Sequence, residues 1–317
     1  MAAIYLHNHK DFPDLLRIID EEEGIEAGLI EKDYWIMHGL YGLKQQGYTF
    51  QLKGGTSLSK GYGLIHRFSE DIDLHIEPPA EWAINQNPNN SSRKNIEKKK
   101  EYYDFLAKEI AVPDMTAGRD IAFDDAVKYN SGGIRLQYKT ITNPVAGLKQ
   151  GILLEAGYAI VTPNTPVNIS SWAYERAVSS GVKDLIDNRA MEISCYDPRY
   201  TFVEKLQTIA TKYRKEMTTG AVETNYMRQY YDIYCLLKDG RIQAFIGTEE
   251  YYKVKEDRFP VADFEIPVNK NEAFLLTNKK IRDDFKRRYE ISKNLYYKGQ
   301  PSFDEVMERI REWVDRL

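Results

Sequence analysis

The chain has 317 residues, 29% of them charged, and a formal net charge of −4. That length holds a sizeable core in one large or two modest domains. The net charge argues against a polyanion binder held by bulk electrostatics, and no apolar run approaches the length of a membrane span. The first residues, MAAIYLHNHKDF, lack the charged-then-apolar layout of a secretory leader, so a cytoplasmic protein is expected. Cys195 and Cys235 lie far apart with no metal-ligand spacing and are expected as two buried thiols.

In chain order, residues 11–23 predict a helix with Leu15, Ile18 and Ile19 inward and Asp11 as cap, and Gly24 breaks it. Residues 28–46 predict a second helix, with Leu29, Ile30, Trp35, Ile36, Leu40 and Leu43 inward. Its Glu31-Lys32-Asp33 reads as a charged edge, with structural pairing or a place near a site as alternatives for Lys32 and Asp33. A strand is predicted over 48–53, then a Gly54-Gly55 turn, a helix over 56–64 and a strand over 70–77 that Pro78-Pro79 ends. In Asp71-Ile72-Asp73-Leu74-His75-Ile76 polar and apolar residues alternate. On a strand that alternation sends Asp71 and Asp73 to one face, roughly 6–7 Å apart. Two carboxylates at that separation repel by roughly 3 kcal/mol at an effective dielectric of about 20, which a divalent cation reverses. Such oxygen ligands suit Mg²⁺. The two glycines before a helix start suit a close backbone approach to phosphate. Each feature has a plain counterpart, an ordinary turn or a solvated face; together, within about twenty residues, they point to a site.

Residues 85–92 form a polar loop, and 93–110 a lysine-dense helix. Its Lys98-Lys99-Lys100 run reads as a solvated face or as a contact for an RNA backbone. Strands are predicted over 120–129, 133–139 and 151–158, joined by turn-rich links. Glu155 is an acid in an otherwise apolar strand, which demands a partner or a metal. The loop 162–170 carries two prolines and marks a domain boundary. Beyond it lie short helices at 171–180 and 182–186, a strand at 191–194, and helices over 201–215 and 223–237. In the last, Arg228 and Asp232 are four apart and could pair. The remainder is helical and charged, ending in two amphipathic helices with Phe285, Tyr289, Phe303, Val306, Ile310 and Trp313 inward.

Gly-Gly, a helix, then Asp-Ile-Asp on a strand resembles the signature of the DNA-polymerase-β-like nucleotidyltransferases. The fuller string GGTSLSK…RFSEDIDL resembles the AbiEii/AbiGii toxin branch, whose members share the Arg-Phe-Ser-Glu insertion before the acidic pair. Glu31 to Trp35, Phe202-Val203-Glu204-Lys205-Leu206 and Arg228-x-x-Tyr231-Asp232-Ile233 are similar to further segments of that branch. The resemblance implies an α+β fold: a nucleotidyltransferase domain over 1–165 and a helical domain over 166–317 that brings Lys205 and Asp232 to a cleft. It implies a metal site of Asp71, Asp73 and Glu155 for Mg²⁺ or Mn²⁺, with Lys205 and Asp232 also catalytic. Gly54, Gly55, Thr56, Ser57, Lys60, Arg67, Ser69 and Lys205 would bind the nucleotide. The implied reaction moves a nucleoside monophosphate from an NTP to an acceptor, plausibly the 3′ end of tRNA, in a toxin–antitoxin or phage-defence system with an antitoxin partner. A protein or small-molecule hydroxyl as acceptor, and a non-catalytic nucleotide- or partner-binding module, are the competing readings.

Overall fold

The structure is a computed structural model that describes residues 2–159, 161–223 and 226–317. The chain falls into two compact units, Met1–Tyr62 with Phe68–Tyr196, and Gly63–Arg67 with Asp197–Leu317. The fold is α+β.

The first unit is built on a mixed seven-stranded sheet. Its strands are β1 (Phe50–Lys53), β2 (Asp71–Ile76), β3 (Met115–Arg119), β4 (Ser131–Tyr138), β5 (Ile152–Gly157), β6 (Asn164–Ile169) and β7 (Ala190–Tyr196). They lie in the order β3-β4-β5-β2-β1-β7-β6. Helices α1 (Phe12–Glu23) and α2 (Ala27–Gln45) precede β1, and α3 (Gly54–Thr56) follows it. α4 (Arg93–Glu109) precedes β3, and α5 (Trp172–Ser179) precedes β7. The alternation in β2 does what a half-buried strand requires: Ile72, Leu74 and Ile76 are buried, as are Leu52 on β1, Leu154 and Ala156 on β5, and Ile134 and Leu136 on β4. α2 packs on that apolar face, with the ideal Cβ position of Gly39 only 3.4 Å from Leu136 Cδ1.

The structure departs from the sequence reading at several elements. α1 turns Phe12, Leu16 and Ile19 inward, while Ile18 stays 39% exposed. α2 has no charged edge, because Glu31, Lys32 and Asp33 are all buried and each finds partners of its own. The helix expected over 56–64 is a three-residue turn followed by a π-helical stretch, Ser57–Gly61. No strand runs over 120–129; pairing ends at Arg119↔Ile134, and Ile121–Phe123 forms a 3₁₀ turn. That turn lies over Gly133, where a Cβ would come within 2.4 Å of the Asp120 carbonyl oxygen. Residues 182–186 are not helical; Leu185 makes a single bridge to Ile4. The segment 162–170 contains β6, and the boundary expected after residue 165 falls inside it. β6 ends the sheet, where Pro166 lacks an N–H without breaking a central ladder.

The second unit is helical. α6 (Pro198–Thr219) starts cleanly: Asp197 caps it by accepting the Arg199 N–H at 2.8 Å, and Pro198 holds the first position. α7 (Met227–Leu236), α8 (Gly240–Phe245), α9 (Glu249–Arg258), α10 (Val261–Phe264), α11 (Glu272–Leu275), α12 (Lys279–Glu290) and α13 (Phe303–Arg311) follow. Phe285, Tyr289, Phe303, Val306 and Ile310 are buried, so the two terminal helices turn the expected faces inward. Ion pairs tie α6 to its neighbours: buried Arg288 lies 2.7 Å from Glu216, and half-buried Arg214 lies 2.6 Å from buried Asp263.

Candidate active site

Strand register assembles the acidic face. β2 pairs in parallel with β5, so that Asp73 lies opposite Glu155 and Asp71 opposite Leu153. On its other side β2 pairs antiparallel with β1, opposing Asp73 to Lys53. Residues opposed across a ladder share a face. Lys53, Asp73 and Glu155 therefore stand side by side on three adjacent strands, and Asp71 joins them two residues along β2.

The turn that leaves β1 is fitted to this face. Gly54 has φ +70°, and a Cβ there would fall 2.0 Å from Asp73 Oδ2. Only glycine lets the Asp73 carboxylate lie against that backbone. The Thr56 hydroxyl is fully buried and donates to the Asp71 carbonyl at 2.6 Å, tying the turn to the start of β2. Gly55 and Ser57 are buried beside it, and Ser69 is half-buried just ahead of β2.

The electrostatics are those of crowded carboxylates. Burial first, then the charges of Asp73 and Asp71, push Glu155 up to about 7; Lys53 and Lys149 oppose the rise. Asp71 Oδ1 is buried without a hydrogen-bond partner. Its Oδ2 lies 3.5 Å from Lys149 Nζ. Among the described residues no three His, Cys, Asp or Glu side chains converge tightly enough to hold a metal as they stand. Asp71, Asp73 and Glu155 nevertheless offer hard oxygen donors only, one of them orphaned, and that fits Mg²⁺ or Mn²⁺ rather than a softer ion.

Lys60, Arg67, Lys205 and Asp232 each have ion-pair partners of their own. Lys60 Nζ lies 2.7 Å from buried Asp33, which also accepts the Trp172 N–H at 2.9 Å. In the second unit, Arg67 grips buried Asp232 with two bonds of 2.7 Å, and Lys205 Nζ lies 2.6 Å from the same carboxylate. Burial alone would raise Asp232; Arg67 and then Lys205 more than offset it and hold the carboxyl below its usual range. Lys205 also donates to Gln229 Oε1 at 2.8 Å. A cavity of about 610 Å³ in this unit, lined by His66, Tyr231, Lys238 and Lys298 among others, contains none of Arg67, Lys205 and Asp232. On α4 the lysine run is not a uniform solvated face, because Lys99 is buried and donates to Asn130 Oδ1 at 2.7 Å. The sequence pattern does not single out Lys53, Glu70 or Lys149. Lys53 directly precedes the glycines and could have been noticed, whereas Lys149 sits in a turn-rich link with no periodic signal.

Among solved structures, the crystal structure of an antigenic nucleotidyltransferase-like protein from Paracoccidioides brasiliensis is similar at 14% identity, over 72% of this chain and 87% of that chain, with a TM-score of 0.37. No curated protein matches the chain. The family model described as "Nucleotidyl transferase AbiEii toxin, Type IV TA system" matches residues 36–309, a span that takes in both acidic strands, the glycine turn, Lys205 and Asp232. The chain belongs to the AbiEii nucleotidyl transferase toxin family of type IV toxin–antitoxin systems.

Proposed function

We propose that this protein transfers a nucleoside monophosphate from an NTP to an RNA acceptor, the 3′ end of tRNA, releasing pyrophosphate, and that a cognate antitoxin restrains it. The observation that carries the reading is the register of β2 against β5, which opposes Glu155 to Asp73 beside an orphaned oxygen of Asp71. Asp71, Asp73 and Glu155 would hold Mg²⁺ or Mn²⁺, and the ion when bound supplies charge stabilisation for the attacking and leaving oxygens. The chain's own groups do the rest. Gly54 and Gly55 let the backbone approach the triphosphate closely. The Thr56 hydroxyl is spent on the Asp71 carbonyl, so Thr56 would meet phosphate through its backbone N–H. Glu155, once ionised, would take the proton of the acceptor hydroxyl as its oxygen bonds to the α-phosphorus and pyrophosphate departs. The resemblance gives Lys205 and Asp232 a part in the same reaction, and variants at both positions read it.

The test is incubation with each labelled NTP and separate pools of tRNA, other RNA, protein and small-molecule hydroxyl acceptors, with divalent cation and with chelator. Label in tRNA only, lost with chelator, is the expected result. Label in protein with none in RNA would replace the acceptor while keeping the reaction, and no label in any pool would reject the transfer.

A further inference from the structure

We infer that Lys149 is a further substrate-contacting residue of the acidic face. Its ammonium takes up triphosphate charge beside Asp71, and the buried Lys32–Glu70 pair is the device that positions it. The inference rests on reading this face as the nucleotide site.

Lys149 lies in the irregular, turn-rich segment between β4 and β5, where no helix or strand fixes its place. One ion pair fixes it instead. The Lys149 N–H donates to Glu70 Oε2 at 2.9 Å, and the Lys149 carbonyl accepts from Lys32 Nζ at 2.7 Å. Lys32 and Glu70 lie 3.2 Å apart with side chains 1% and 6% exposed. Burying such a pair carries a desolvation cost, recovered only with good geometry and added hydrogen bonds. Here both ions direct such a bond to the same residue. Lys32 comes from α2 and Glu70 from the residue directly before β2, so the clamp sets Lys149 against the start of the acidic strand.

The side chain is confined but accessible. It is 37% exposed, with Nζ 3.5 Å from Asp71 Oδ2 and 4.9 Å from the Phe123 ring centroid. Phe123 belongs to the turn over Gly133, and Arg135, paired with Asp120 at 2.6 Å, flanks the same ring at 5.6 Å. Across the face, Lys53 stands opposite Asp73 on the far strand. The three carboxylates are thus bracketed by two lysines. A triphosphate brings more negative charge than one divalent cation cancels, and a face already holding three carboxylates needs further cations near it. A lysine supplies such a point charge, as it does in many phosphate sites.

The competing role, a counter-ion that merely quiets the carboxylates, predicts different numbers. Wild type, Lys149→Ala, Lys149→Arg and Asp71→Asn would be compared for binding of a non-hydrolysable NTP analogue with Mg²⁺, for binding of Mn²⁺ alone, for KM and kcat, and for melting temperature. Lys149→Ala is expected to weaken analogue binding and raise KM roughly tenfold or more, the scale of one charged hydrogen bond. Mn²⁺ binding should not weaken, melting should stay near wild type, and Lys149→Arg should recover most of the loss. Analogue affinity and KM within twofold of wild type, with tighter Mn²⁺ binding, would make Lys149 a counter-ion and overturn the inference. If Asp71→Asn abolishes analogue binding while Lys149→Ala does not, the inference alone fails. If wild type binds no Mg²⁺–analogue complex, the reading of the face fails and takes the inference with it.

Discussion

An alanine methyl at Gly54 would meet Asp73 Oδ2 at 2.0 Å, and the backbone there has φ +70°. Both constraints act on one residue, so Gly54→Ala is expected to lose about 1–3 kcal/mol of stability and displace the Asp73 carboxylate. Gly47 is the natural control, with φ +80° and nothing within 4 Å of its Cβ position. Gly47→Ala should lose about 1 kcal/mol for the backbone alone and keep its activity. Equal activity loss in both, read beside urea denaturation, would remove the close-packing argument. At Glu155 the sign of the pH dependence follows from its raised value. The folded protein holds the proton up to about 7, while the unfolded chain releases it near 4.5. Between those values the folded state binds more protons, so this contribution to stability is full below 4.5 and is lost as pH rises through about 7. Without divalent cation, wild type should therefore melt progressively lower relative to Glu155→Gln across that window, and Mg²⁺ should reverse the decline above it. A difference in melting temperature that stays flat with pH would contradict the assignment.

Among the elements, α2 shows most plainly where pattern stops being informative. Its apolar spacing is legible, and so are β1, β2 and β4 from their alternation, and β5 from an apolar run that is buried almost throughout. The burial of Glu31, Lys32 and Asp33 is not legible, since partners far along the chain decide it. Glu31 accepts the N–H groups of Ile141 and Thr142, Lys32 reaches Glu70, and Asp33 reaches Lys60 and Trp172. β6 escapes for the opposite reason. Asn164 to Ile169 is an exposed edge segment with a proline, and its composition is that of a loop. The buried charges of α2 give a direct expectation. Asp33→Ala leaves Lys60 and the Trp172 N–H without their acceptor, and should lose about 3–5 kcal/mol. Asp33→Asn can still accept from Trp172 and should lose less. Denaturant midpoints that rank the two variants the other way would show that Asp33 is not holding both groups.

For the molecule as a whole, the part of the site legible in the sequence is the part carried by regular strands. Asp71 and Asp73 follow from alternation, and Glu155 from being an acid in an apolar strand; the register that opposes Glu155 to Asp73 is a structural fact. Lys149 was not legible, because its place is set by a tertiary clamp in a segment without periodicity. Arg67 and Asp232 could be suspected from motif alone, but their bidentate pairing, 165 positions apart, could not. These readings converge on one claim, that the face formed by β2 and β5 carries out nucleotidyl transfer. The most direct measurement is pyrophosphate release and label transfer from an NTP by Asp73→Asn, in protein whose melting temperature matches wild type. A loss of about a hundredfold or more is expected, the scale when one such electrostatic contact to the reacting phosphate is removed. Transfer within twofold of wild type would contradict it.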